Sequence, residues 1–264
     1  ALLAPRIREN IFWQATVTPL ASIIGSGFLI VAPMLGGIVG IMTPWVMLMI
    51  VVFAYLIGGV MRFNIYNVEP LLSNGKASND QRFVEHLSNL TLFVAYIISV
   101  AFYLRLMSSF ILRGFGMFTS TNANALTTAV LLFIGIAGWR RGLKGLELLE
   151  EYSVSVKLAI IGTLLLGLGF YGTSTGIWHN VPDPQDRPIL EILRLLAGML
   201  LVVQGFETSR YLGQDHSADQ RVHSMRFAQC LSAFIYVGFA FLILPLIQYL
   251  PSGHFDETAI IDIS

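Results

Sequence analysis

Apolar positions in this chain come in long unbroken runs. They do not alternate, and they are not confined to one helical face. Residues 10 to 61, 52 in all, contain no Asp, Glu, Lys, Arg or His. One membrane span needs ~20 residues, so this run predicts two spans folded back near Gly36-Gly37. Read the same way, the whole chain predicts about seven spans, at 11–35, 38–61, 83–112, 123–139, 146–171, 189–212 and 225–250. Polar stretches separate them, among them Asn74-Gly75-Lys76, the Pro-rich Val181-Pro182-Asp183-Pro184, and a polar tail to Ser264. Barrel strands run to ~10 residues and alternate; these runs are longer and uniformly apolar. The fold class is therefore all-α, a polytopic membrane helix bundle.

Composition agrees. Of 264 residues, 55% are hydrophobic and 12% charged, and mean hydropathy is +0.70. Globular chains carry about 25% charged residues. A soluble domain could not cover that much apolar surface, and disorder is excluded for the same reason. Sixteen basic residues balance sixteen acidic ones, which leaves no electrostatic footprint for nucleic acid. Cys230 is the single cysteine, so no internal disulfide exists.

The basic residues are unevenly placed. With the N-terminus inside, inner segments hold eleven of the 16, including Arg6, Arg8 and Arg62. Outer loops hold two, Arg113 and Arg187, and Arg105, Lys157 and Arg194 fall within spans. The positive-inside rule then predicts a cytoplasmic N-terminus, and the short loops suit a bacterial inner (plasma) membrane. The first apolar run is too long for a signal-peptide core. Trp13, Trp45, Trp139 and Trp178 fall near span ends, where an interface belt is expected.

Two spans are interrupted. The first carries Ile24-Gly25-Ser26-Gly27 near its middle, and two glycines around a serine form helix poorly. Unwound backbone at membrane depth survives only where it is buried or lines a cavity. It exposes N–H groups at one half-helix start and C=O groups at the other half-helix end, suited to an anion and a cation respectively. Close packing of helices through small residues is the other reading. The sixth span carries Gln204-Gly205-Phe206-Glu207. An intramembrane carboxylate is costly and usually functional; the alternative is a surface pair of Glu207 with Arg210, one turn on. Two interrupted spans five apart in order match an inverted-repeat transporter.

Here the chain resembles the permeases of the amino acid–polyamine–organocation (APC) superfamily. Ile24-Gly25-Ser26-Gly27-Phe28 is similar to their first-helix signature. Gly205-Phe206-Glu207, followed by Tyr211-Leu212-Gly213-Gln214-Asp215 and Arg221, is similar to their sixth-helix stretch. Glu69-Pro70 with Ser73-Asn74-Gly75, and Gly142-Leu143-Lys144-Gly145, echo two of their connections. The loop after Asp215 lacks their usual Asn-Pro pair, and Gln214 replaces an acid. The resemblance implies a LeuT-like fold of two inverted five-helix repeats in one transmembrane domain. The first repeat would be 11–172 and the start of the second 188–264, so the chain reads as truncated.

The resemblance also implies a function: secondary transport of a small organic solute, an amino acid or amine, coupled to protons by alternating access. The solute's carboxylate would meet the N–H groups of Gly25, Ser26 and Gly27. Its ammonium would meet carbonyls near Ile23 and around Val203 and Gln204, with Phe206 as an aromatic gate. Glu207 and Lys157 would couple ions. Lys157 lies six residues past Glu151, ~9 Å deeper at ~1.5 Å per residue. In proton-coupled relatives a fifth-helix lysine occupies a sodium position and faces carbonyls at the first break. A snorkelling lysine is the bland alternative.

Rival functions are an inorganic cation carrier on the same fold and a transporter-like sensor module. No P-loop, metalloprotease motif, credible triad or metal-ligand cluster occurs in the sequence, so neither enzyme activity nor a cofactor is expected. His86, His179, His216, His223 and His254 are scattered. Gly167-Leu168-Gly169-Phe170-Tyr171-Gly172 fits a dinucleotide pattern but follows no strand. The expected partners are the solute, protons and the lipid bilayer, with a homo-oligomer left open.

Overall fold

The computed structural model describes residues 10–141, 144–175 and 188–247, and every element among them is helical. Outside the described residues lie Arg6, Arg8, Gly142-Leu143, the connection containing Trp178, His179, Pro182 and Arg187, and the tail beyond Ile247 with His254. The side chains of Ser26, Glu147, Glu150 and Glu151 lie outside them too.

Helix α1 (Ile11–Ile23) gives way to a 3-10 turn at Ser26–Ile30 and a π turn at Val31–Leu35. The short α2 (Gly36–Val39) and a turn at Gly40–Met42 reverse the chain into α3 (Thr43–Asn67), which α4 (Glu69–Ser73) extends. Then come α5 (Asn79–Gly114), α6 (Ser120–Arg141) and α7 (Lys144–Thr175). Helix α8 (Ile189–Val203) passes into a 3-10 helix at Phe206–Gln214; α9 (Ala218–Leu242) and the short α10 (Leu244–Ile247) follow.

Among the described residues six stretches are long and apolar enough to cross a membrane: Gly36–Ser73, Asn79–Gly114, Ser120–Arg140, Tyr152–Ser174, Ile189–Gln214 and Ala218–Leu242. The remaining predicted span, the first, falls below that length because its break leaves α1 with 13 residues.

Polar residues at the chain reversals start the helices. The Asn10 side chain accepts from the amides of Phe12 and Trp13 (2.9 and 3.3 Å) and opens α1. Ser78 with Gln81 opens α5, and Ser217 with Gln220 opens α9, each as a reciprocal capping box. Such caps satisfy amides that the first helical turn cannot.

Helix α9 is the hub, packing on α1, α3, α7 and the 3-10 segment after α8. Its Tyr236 and Phe239 are fully buried, and Phe28, just past the first break, stacks on both at ring distances of 5.6 and 4.3 Å. Helices α5 and α6 pair with each other and leave most of their apolar surface outward; Phe133 and Trp139 are examples. Lipid solvates such surface, whereas water would not.

Two sequence expectations need correction. Arg62, counted with the inner basic residues, is buried between α3 and α9. Its guanidinium bonds the Gln229 side chain, donates to the Tyr55 carbonyl at 3.1 Å and lies over the Tyr55 ring at 4.4 Å. Gln229 in turn donates to the Ala54 carbonyl at 3.1 Å. Trp13 is not an interface anchor: it packs against the core, and its indole N–H is buried with no partner among the described residues.

Candidate functional site

The site is built where α1 and α8 stop. An α-helix leaves its last four carbonyls without intrahelical donors, and in the membrane interior no water replaces them. Helices α1 and α8 both end at the breaks, so their carbonyl ends share one region. Side chains from three other helices supply the donors. Lys157 on α7 donates from Nζ to the Ala21 and Ile24 carbonyls (3.2 and 3.0 Å). Tyr103 on α5 donates to the Leu201 carbonyl at 2.6 Å. Tyr236 on α9 places its hydroxyl 3.0 Å from the Ile23 carbonyl and 3.0 Å from that of Val202.

The two breaks touch. Gly205 has φ +117°, a left-handed backbone that L side chains rarely adopt. A Cβ there would lie 2.6 Å from the Ser22 carbonyl carbon and 2.8 Å from the Ile23 nitrogen. Glycine is thus required twice at this position, for its conformation and for the close approach of the two chains.

The half-helix starts differ. After the first break, the Gly25 amide turns back to the Ile23 carbonyl at 3.1 Å, and Phe28 donates to the Gly25 carbonyl at 3.3 Å. The N–H groups of Ser26 and Gly27 head the 3-10 turn, where a helix start offers no acceptor of its own, and the N-cap residue Gly25 supplies no side-chain cap. A Cβ on Gly27 would meet the Tyr103 ring at 3.1 Å and Val202 at 3.2 Å, so this backbone faces α5 and α8 closely. After the sixth break, Glu207 covers the start itself: its carboxylate accepts from the Gly205 amide at 2.8 Å.

The surface-pair reading of Glu207 is not what the structure shows: Glu207 is buried and Arg210 takes other partners. Arg210 pairs with Glu85 and lies 3.9 Å from Glu69; Arg221 pairs with Glu69 at 2.7 Å and donates to the Arg210 carbonyl at 3.1 Å. These four residues form an ionic group from α4, α5, the 3-10 helix and α9, in which Arg210 lies one turn beyond Glu207 along the chain.

Beside the sixth break lies a crevice of about 380 Å³, walled by aliphatic side chains of α3, α5 and α8. Its polar lining is Tyr96, Gln204 and Glu207, and Phe206 closes one side. Gln204 donates to the Ser99 hydroxyl at 2.6 Å. The Tyr96 hydroxyl is buried beside Glu207 and Tyr211, with its ring 6.3 Å from that of Tyr211. A larger groove of about 900 Å³ between α3 and α9 is lined by apolar residues such as Trp45 and Phe234, so it offers nothing to orient a polar solute.

The structure therefore brings Ile23, Gly25, Gly27, Val203, Gln204, Phe206, Lys157 and Glu207 into one region. It alters one expected contact: the Ile23 carbonyl, expected to face a solute ammonium, already accepts from Gly25 and faces Tyr236. Sequence reading missed Tyr236, although a lone hydroxyl within an apolar run (Phe234-Ile235-Tyr236-Val237) was a usable signal. Among the described residues no group of three or more His, Cys, Asp or Glu is arranged to hold a metal.

A membrane helix bundle with two interrupted spans meeting near its middle is the architecture of a transporter. Residues 5–264 match the family described as APC superfamily transporter, and the chain belongs to it. It is 45% identical over 262 residues to an uncharacterized protein of Aquifex aeolicus (strain VF5), covering 98% of this chain and 64% of that one. The chain thus spans somewhat less than two thirds of that relative's length. No solved structure matches it.

Proposed function

We propose that this chain carries the solute site of a secondary active transporter for an amino acid or amine, coupled to protons. The observation that carries the reading is the asymmetry of the two breaks. At the first, Gly25 gives the Ser26–Gly27 turn no side-chain cap, while the carbonyl end is held by the Lys157 ammonium; at the sixth, Glu207 accepts from the Gly205 amide. Uncapped amides at a helix start attract an anion such as a carboxylate. The solute's ammonium would turn toward the crevice with Gln204 and Glu207, under Phe206. Losing or gaining the Lys157 proton would release or restore its hold on the first break, which couples protons to movement of that half-helix.

The reading includes a LeuT-like arrangement, with a first repeat at 11–172 and the start of a second at 188–264, in a bacterial inner membrane with the N-terminus inside. Alternating access would rock the broken helices against the rest. An inorganic cation carrier is disfavoured, because the carbonyls it would use already have Lys157, Tyr103 and Tyr236 as donors.

The test is uptake of labelled amino acids and amines into liposomes holding the full-length protein. An inward proton gradient is expected to stimulate uptake, and Lys157→Ala to flatten its pH profile. Uptake indifferent to the gradient and unchanged in the variant sinks the reading.

A further inference from the structure

The ends of α1 and α8 present a problem that the solute site does not solve. Both are carbonyl ends, so two negative half-dipoles face each other. They are also held close, since the Gly205 backbone packs on Ser22. Repulsion of that kind needs a donor placed between the ends. Lys157 donates to two carbonyls of the α1 end and Tyr103 to one of the α8 end. Tyr236 reaches both: its hydroxyl is 3.0 Å from the Ile23 carbonyl of α1 and 3.0 Å from the Val202 carbonyl of α8.

We propose that Tyr236 is the latch that holds the two broken spans in register, a positioning residue that touches no solute. A phenol carries one proton, so it bonds one carbonyl at a time and the other faces the hydroxyl oxygen unprotonated. The proton passes between the two ends by rotation about the C–O bond, without moving the ring. The ring is fixed by Phe28 and by its complete burial in α9. The link is strong enough to align two half-helices and exchangeable enough to let them part when the bundle rocks. Tyr236 thereby sets the spacing between the first-break amides and the sixth-break crevice.

This inference rests on the proposed solute site for its transport consequence, but not for its structural one. Tyr236→Phe deletes a single oxygen and keeps the ring. In full-length protein with Cys230→Ser, spin labels at Ile11→Cys and Leu193→Cys report the separation of α1 from α8. Both labelled positions are exposed. With Tyr236 intact, one narrow distance distribution is expected; in the Tyr236→Phe variant, a broader or shifted one. The same variant is expected to raise KM for uptake about tenfold while Vmax stays within about threefold, because pre-organisation of the site is lost and not its chemistry. A lost fold would lower Vmax instead.

If Tyr236→Phe does not fold, fluorinated tyrosines at position 236 decide the matter. They keep the shape and strengthen the O–H donor stepwise, so the distribution should narrow and KM fall stepwise. A distance distribution unmoved by Tyr236→Phe, or by the fluorinated series where that variant does not fold, overturns the latch. A broadened distribution in a protein that takes up no amino acid or amine keeps the latch and removes the transport reading.

Discussion

The two interrupted spans solve the same backbone problem in different ways. At the carbonyl side they are alike, each relying on side chains from distant helices. At the amide side they part. The sixth break covers its own half-helix start with Glu207, two residues from the amide it accepts. The first break has no acid near it in sequence, and the amides of Ser26 and Gly27 head a turn whose N-cap residue, Gly25, has no side chain to cap it. A buried half-helix start left without an internal acceptor is poised for an external anion. On the proposed reading, this difference puts a solute carboxylate at the first break, since Glu207 already occupies the Gly205 amide at the sixth.

That comparison is broken most severely at the point where the two breaks meet. Gly205→Ala introduces a Cβ into a positive-φ position and against Ser22. The expected cost is about 2–5 kcal/mol, read as a large fall in thermal stability in detergent and loss of uptake. A variant with wild-type melting would mean that the breaks do not touch as described.

A smaller effect is expected at the ionic group beyond the sixth break. Glu69→Gln takes the charged partner from Arg221 while keeping a polar side chain there. Destabilisation of about 2 kcal/mol is expected, without change in the pH profile of uptake. Urea or thermal melting of the purified protein checks the first part and the liposome assay the second.

The smallest effect separates the two roles of Glu207. Glu207→Gln keeps an oxygen to accept from the Gly205 amide, whereas Glu207→Ala removes the cap. The alanine variant should lose about 1 kcal/mol and the glutamine variant less. If Glu207 also carries a coupling proton, the glutamine variant alters the pH dependence of uptake despite its retained stability. Equal stability in both variants would show that the cap does not matter.

Much of this was legible in the sequence. The 52-residue run without charge or His forces two membrane crossings whatever their packing. Gly25 and Gly27, and Gly205 beside Glu207, mark the interruptions because helix propensity and burial cost are local properties. The depth of Lys157 followed from counting residues along a helix. Arg62 shows the limit of such counting: its place near a span end suggested an inner flank, but its side chain folds back onto Tyr55 and Gln229. The Glu207–Arg210 spacing likewise permitted a pair that the structure does not form, because Glu85 and Glu69 compete for Arg210 from other helices.

By itself, then, the sequence determined that the chain is a membrane helix bundle, which spans are broken, and where the breaks lie. Each follows from apolar run length or from residues within one turn of each other. Only the tertiary structure decided which donor answers which carbonyl. Tyr236 and Ile23 are 213 positions apart, and Lys157 and Ile24 are 133 apart. Such pairs are set by how whole helices pack, and a buried carbonyl takes whichever donor that packing delivers, since leaving it bare costs more than any local preference.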